Sequence, residues 1–215
     1  MSLAGKRILV SAGPTFEDID PVRFLGNRSS GKMGFAIAGE AARRGAVVQL
    51  VAGPVSLATP AGVNRQDVRS AAQMHAAVMA ALPADIYIGA AAVADFTPQQ
   101  VAAQKLKKTP DSTHMTLTLV RTRDILADVA TARLRPACVV GFAAETNDIE
   151  RYAQGKLAAK GVDMICANQV GRAEGGFESE QNALTVYWPG GSVALAMATK
   201  MEIAAQLLNL LESRF

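Results

Sequence analysis

The chain alternates short, wholly apolar runs with longer segments whose apolar positions recur every three or four residues. Residues 6–12, 46–52, 85–91, 137–143 and 162–167 are apolar almost throughout and predict strands buried on both faces. Between them, residues 32–44, 70–82, 122–133 and 148–160 predict helices; in the second, Met74, Val78 and Leu82 fall at helical spacing. This order predicts an α/β fold: a three-layer, Rossmann-like parallel sheet with helices on both faces and right-handed crossovers. The first three strands and their two helices form the expected Rossmann-like half. Two stretches break the rhythm. Residues 113–121 alternate polar and apolar positions, which predicts a half-exposed strand and a self-association edge. Residues 182–188 and 192–196 flank Pro189-Gly190-Gly191 and predict a hairpin, followed by an amphipathic helix over 200–211. These are the antiparallel strand additions. Residues 95–112 and 168–181 are long, polar and punctuated by Gly or Pro, as binding loops or lids are.

Composition adds limits. A chain of 215 residues, 50% hydrophobic and 19% charged, is expected to form one domain over 1–215. It contains no apolar run of membrane-spanning length and no signal-peptide core near Met1, so a cytoplasmic protein without a membrane partner is expected. Cys138 and Cys166 sit in strand-like runs and read as buried thiols of a reducing compartment. His75 and His114 are isolated, with no metal-ligand spacing. A net charge of +3 is too mild to indicate a nucleic acid partner.

Candidate chemistry concentrates between the first strand and the first helix, in Asp20-Pro21-Val22-Arg23-Phe24-Leu25-Gly26-Asn27-Arg28-Ser29-Ser30-Gly31-Lys32-Met33-Gly34. Gly26 to Met33 follows P-loop spacing until its last position, where Met33 replaces the hydroxyl that would hold magnesium. Gly13-Pro14-Thr15 cannot supply the dinucleotide glycine fingerprint in the first strand-to-helix turn. The segment can nevertheless hold an anion. Ser29, Ser30 and Gly31 open a helix whose first amides lack intrahelical partners, and Lys32 stands beside them. Plain capping by Ser30 would account for Ser30 and Gly31, but not for Arg23, Asn27, Arg28 and Lys32 in the same turn.

Further candidates follow the later strands, where open parallel sheets bind ligands. Gly89, Ala90 and Ala91 let a flat base or ribose approach the backbone, and Asp95 can accept from hydroxyls or an amine; close helix packing is the alternative reason for such small residues. Lys105-Leu106-Lys107-Lys108 is either a phosphate cradle or a solvated charge run. Phe142 could stack on a base. Lys156 and Lys160 share a helix face and could hold polyphosphate or simply face water.

Taken in order, Gly13-Pro14-Thr15, Asp20-Pro21-Val22-Arg23, Asn27 to Gly34, Ala91-Ala92-Val93-Ala94-Asp95, Lys105 to Lys108, Gly141-Phe142-Ala143-Ala144-Glu145-Thr146 and Ala167-Asn168 resemble phosphopantothenoylcysteine synthetase over essentially the whole chain. In many bacteria that ligase of coenzyme A biosynthesis is the C-terminal half of a bifunctional protein whose N-terminal half is a flavin-dependent decarboxylase. The resemblance implies a phosphopantothenate–cysteine ligase. It would activate 4'-phosphopantothenate with CTP as an acyl-cytidylate, releasing pyrophosphate, and then form the amide with L-cysteine, releasing CMP. It also implies magnesium accompanying the CTP, and a homodimer.

By resemblance, Gly89, Ala90, Ala91, Asp95, Arg123, Asp124, Ile125, Leu126, Phe142, Lys156 and Lys160 contact CTP. Lys105 aids acyl-cytidylate formation. Arg23 and Asn27 bind phosphopantothenate and process the activated acid, beside Ser29, Ser30, Gly31 and Lys32. Two departures stand out: Thr122-Arg123-Asp124 where relatives often have Asn-Pro-Asp, and Phe16-Glu17-Asp18 where an Arg-Glu-Pro type sequence is common. Three other readings compete. A nicotinamide-dependent reductase would need the glycine fingerprint and an acid ending the second strand. A P-loop kinase would need a hydroxyl at Met33. A nucleotide sensor would not need Arg23 and Asn27.

Overall fold

All five apolar runs become strands of one eight-stranded sheet. In the computed structural model, which describes residues 2–107, 113–145, 148–169 and 179–214, the elements in chain order are β1 (Arg7–Ala12), β2 (Phe16–Asp18), β3 (Phe24–Gly26), α1 (Lys32–Arg43), β4 (Val47–Ala52), β5 (Val63–Asp67), α2 (Ala71–Ala80), β6 (Ile86–Gly89), β7 (Phe96–Pro98), β8 (Leu119–Arg121), α3 (Ile125–Ala130), β9 (Cys138–Glu145), α4 (Ile149–Lys160), β10 (Met164–Gln169), β11 (Gln181–Trp188), β12 (Gly191–Thr199) and α5 (Lys200–Arg214). The sheet runs β12-β11-β10-β9-β6-β1-β4-β5. From β5 to β10 every pairing is parallel, and β11 and β12 are added antiparallel. Counting the parallel strands along the chain, the order is 3-2-1-4-5-6, the doubly wound arrangement with its reversal between β1 and β6.

Side chains on successive strand positions point to opposite faces, and two cores result. Ile8, Val10 and Ala12 of β1 join the core under α1 and α5, with Phe35, Ile37 and Leu207. Leu9 joins the other core, under α2, α3 and α4, with Val78, Val129 and Ala153. Both cysteines are free and buried; desolvation pushes the Cys138 thiol up to about 12 and the Cys166 thiol higher still. α1 and α5 are laced together by Arg44, which donates to Glu40 at 2.8 Å, to Glu212 at 2.7 Å and to the Ala205 carbonyl at 2.9 Å. Among the described residues no helix is long and apolar enough to cross a membrane.

The α/β architecture, the hairpin and the final helix match the sequence reading. Three local expectations need correction. β5, with sequence Val-Asn-Arg-Gln-Asp, was not anticipated: it is an edge strand with one apolar residue, so its hydrophobic pattern is silent. Consequently no helix joins β4 to β5, and the run at 85–91 is the fourth parallel strand instead of the third. Of residues 113–121 only Leu119–Arg121 are strand; all three are exposed, and they pair with β7 in a separate two-stranded ribbon. The helix expected over 122–133 shortens to Ile125–Ala130, with Asp124 capping its start. β2 and β3 form a further unanticipated ribbon, with Phe16 stacked on Phe24 at 4.0 Å.

Candidate functional site

The reversal between β1 and β6 opens a cleft of about 750 Å³. Its near wall is built by backbone. Beyond the ends of the strands the ladder continues: Ala90 N donates to Ser11 O at 2.9 Å and Ala92 N to Gly13 O at 2.9 Å. Asn27 Nδ2 donates to the carbonyls of Ala92 at 2.9 Å and Val93 at 3.3 Å. Ala94 N donates to Thr15 Oγ1, and Thr122 Oγ1 donates to Ala94 O at 2.6 Å. Residues 90–95 are thus tied from both sides.

The far wall comes from α3 and α4. Asp124 caps α3 by accepting from Ala127 N at 3.0 Å, and Lys160 Nζ lies 3.1 Å from its carboxylate. Burial raises the Asp124 pKa, but the Ala127 amide and Lys160 outweigh it and leave the carboxyl below its usual value. Arg123 pairs with Asp128 at 3.0 Å, and Asp128 lies 2.7 Å from His75 Nε2. At the base, Ser11 Oγ and Tyr87 OH are 2.9 Å apart, and burial pushes the Tyr87 phenol up to about 12 against the opposing hydrogen bond from Ser11.

A smaller cavity of about 130 Å³ adjoins the cleft and shares Ala91, Ala92, Phe142 and Ala144 with it. Ser29, Ser30, Gly31 and Lys32 line it at the start of α1. Gly31, not Ser30, occupies the cap position, at φ 75°. Lys32 is ion-paired with Glu180.

The fold brings Asn27, Gly89, Ala91, Asp95, Arg123, Asp124, Ile125, Leu126, Phe142, Lys156 and Lys160 into the cleft, with Ala90 on the smaller cavity. Arg23 and Lys105 do not line either cavity. Arg23 is held by Asp20, with its Nη2 at 2.6 Å, and also donates to Leu106 O at 2.9 Å, next to Lys105. Asp20 is buried; the Arg23 guanidinium, aided by the Val22, Leu106 and Arg23 amides, outweighs desolvation and holds its carboxyl far below the usual range. Lys108, Thr146 and residues 170–178 of the second long loop lie outside the described residues.

Sequence reasoning missed Ser11, Tyr87, Arg121, Thr122, Asn182 and Lys200, which also line the two cavities. Lys200 opens an ordinary amphipathic helix and carries no local signal. Among the described residues no three His, Cys, Asp or Glu side chains converge as a metal-binding group. This donor set fits a magnesium ion that arrives bound to triphosphate oxygens, with at most one or two protein carboxylates.

The family model of the DNA/pantothenate metabolism flavoprotein C-terminal domain matches residues 3–214. The chain is 54% identical over 208 residues to the coenzyme A biosynthesis bifunctional protein CoaBC of Vibrio parahaemolyticus, covering 96% of this chain and 52% of that protein. To the protein of the same name in Escherichia coli it is 48% identical over 210 residues, covering 97% and 52%. It therefore spans about half the length of the curated relatives it matches. A crystal structure of a CoaBC C-terminal domain is similar at TM-score 0.83 and 40% identity, covering 99% of this chain and 96% of that one. A Cab2 mutant solved in complex with phosphopantothenate-cysteine shares the fold at TM-score 0.77 and 16% identity, with 97% and 87% covered.

Proposed function

Because this chain belongs to the DNA/pantothenate metabolism flavoprotein C-terminal domain family, we propose that it is a phosphopantothenate–cysteine ligase of coenzyme A biosynthesis. The observation that supports this most is the convergence of Asn27, Lys156 and Lys160 on the cleft at the strand reversal, with the start of α1 lining the cavity that adjoins it. Such a site suits a nucleoside triphosphate meeting an anionic acid. The carboxylate of 4'-phosphopantothenate attacks the α-phosphorus of CTP; a C–O–P link forms, the α–β bridge breaks and pyrophosphate leaves. The amine of L-cysteine then attacks the activated carbonyl, loses a proton and expels CMP.

Neither step needs a nucleophile from the protein. Both need charge neutralisation, and losing one preorganised contact of this kind costs roughly 100-fold in rate. Magnesium bound to the CTP would supply Lewis-acid neutralisation of the phosphates. Lys156 and Lys160 balance nucleotide charge, and Asp95 accepts from the ribose or base. The Asn27 amide, with Nδ2 committed to Ala92 and Val93, keeps Oδ1 to accept from a hydroxyl or amide N–H of the acid.

The proposed homodimer has support in the exposed Val22, Phe24, Phe96, Leu119 and Val120 on the two ribbons. Arg23 and Lys105 lie in the same region, so their roles are proposed for the assembled enzyme. In a longer parent chain a flavin-dependent decarboxylase half is proposed to accompany this one, and the free thiols favour a reducing, cytoplasmic setting. The test is pyrophosphate release from the chain with 4'-phosphopantothenate, L-cysteine, magnesium and each triphosphate in turn. Release strictly dependent on the acid and fastest with CTP is expected. Activity with ATP alone would overturn the nucleotide choice, and none with any triphosphate would overturn the ligase.

A further inference from the structure

Ser11, near the end of β1, and Tyr87, in β6, are each only 1% exposed, yet both line the main cleft. Strand register brings them together. Ser11 lies opposite Gly89 in the parallel β1–β6 pair. Tyr87, two residues before Gly89, projects to the same face of the sheet. With no side chain at Gly89, the phenol reaches along β6 and sets its oxygen 2.9 Å from Ser11 Oγ. A Cβ built on Gly89 would sit 3.3 Å from Tyr87 Oη, so a side chain there would crowd the phenol that lines the cleft.

Two hydroxyls carry two donors. Among the described residues, the hydrogen bond they share is the only one either side chain makes. Whichever oxygen donates in it, the other O–H is left over, and buried donors are seldom left so. Burial pushes the Tyr87 phenol up to about 12, Ser11 opposes, and the Asp124 carboxylate adds to the rise. The phenol therefore keeps its proton at neutral pH.

The charges nearby limit what that proton can meet. The cations that line the cleft, Arg121, Arg123, Lys156 and Lys160, come from β8, the turn before α3, and α4. At the pair, the field that raises the phenol pKa is that of Asp124, and the same field repels a phosphate. Ile125, Leu126 and Phe142 give the cleft apolar surface. A flat, neutral group with a hydrogen-bond acceptor suits this floor, and phosphates suit the lysine side.

We propose that the Ser11–Tyr87 hydroxyl pair anchors a nucleobase: its remaining O–H donates to a ring acceptor, O2 or N3 of a cytosine. The phosphates of the same nucleotide run toward Lys156 and Lys160. The choice of a nucleotide as occupant rests on the ligase reading.

The test is calorimetric binding of CMP, CTP, ribose 5-phosphate and inorganic pyrophosphate to the wild-type chain, Ser11→Ala, Tyr87→Phe and the double variant. The double variant removes both partners of one hydrogen bond and keeps their shape, a change that is nearly neutral for folding. It is expected to weaken CMP and CTP alike by about threefold to tenfold. Ribose 5-phosphate and pyrophosphate should bind as to the wild type, a selectivity that a merely structural pair would not produce. The single variant with the larger loss identifies the hydroxyl that touches the base. Wild-type affinity for CMP in the folded double variant overturns the proposal, and so does an equal loss for ribose 5-phosphate or pyrophosphate. Should the double variant not fold, the chemical shift of Tyr87 Cζ in the wild type decides: a change with CMP and none with pyrophosphate supports the anchor, and any other pattern overturns it. A wild-type chain that binds no nucleotide takes the ligase reading down together with this one. Nucleotide binding that the double variant leaves intact sinks this one alone, and the selective loss in a chain that ligates nothing sinks only the ligase.

Discussion

Gly34 offers a perturbation that should separate stability from function. It lies in the first turn of α1, and a Cβ there would sit 2.4 Å from Ala12 Cβ, 3.3 Å from Ala12 Cα and 3.4 Å from Ala90 Cβ. Apolar carbons rest about 3.5–4.0 Å apart, so Gly34→Ala forces the start of α1 away from the ends of β1 and β6 by about 1 Å. Overpacking of this kind costs about 1–3 kcal/mol. Replacing Gly by Ala inside a helix returns up to about 1 kcal/mol. The net loss is about 0–2 kcal/mol, a fall in melting temperature of roughly 0–8 °C for a domain of this size. The displaced turn carries Gly31 and Lys32 and lines the smaller cavity beside the cleft, and a misplacement of about 1 Å can cost roughly 100-fold in rate. Gly39→Ala is the control: it adds the same methyl to the same helix, with 3.2 Å to Pro60 Cβ as its nearest contact, far from the cleft. Pyrophosphate release and thermal melting should be read side by side. Gly34→Ala is expected to melt no more than about 8 °C below wild type but turn over about 100-fold more slowly, while Gly39→Ala melts near wild type and turns over within severalfold of it. Wild-type turnover in Gly34→Ala would refute the placement of the α1 start against the reacting phosphates.

Asn27→Asp sets a carboxylate against the Ala92 and Val93 carbonyls; it should stall product formation and also weaken CTP severalfold, and wild-type turnover would refute both roles of the amide. Asp124→Ala removes the α3 cap and frees Lys160; it is expected to cost about 1 kcal/mol in urea melts and to weaken CTP more than it weakens free pyrophosphate. Arg43, against desolvation and with help from Arg44, holds the Glu40 carboxyl down at about 2 from 4.5. A depressed carboxylate stabilises the fold fully above its unfolded pKa and loses that contribution as pH falls through the folded one. Urea midpoints of the wild type should therefore drop between about pH 5 and pH 2 more steeply than those of Glu40→Gln; identical slopes would count against the ion pairs of Glu40 with Arg43 and Arg44 at the end of α1.

Local hydrophobic periodicity determined most of the elements, because a strand buried on both faces or a helix with one apolar face writes its environment into its own residues. The parallel sheet, the hairpin and the final helix were legible for that reason, and Asn27 to Gly34 marked a candidate anion site through clustered cations and glycines at a helix start. What periodicity could not register was β5, whose polar edge carries no burial pattern, and the ribbons β2–β3 and β7–β8, whose three-residue strands are too short to show a period. Nor could it tell that Lys200 and Asn182, far along the chain and unremarkable in their own segments, close over the start of α1, or that Arg23 turns toward Asp20 and Leu106 and away from the cleft. Those are consequences of strand order. Placing β10 and β11 beside β9, with α5 packed back against α1, sets charges from distant segments in one low-dielectric space. Only the assembled sheet decides which buried side chains become neighbours there.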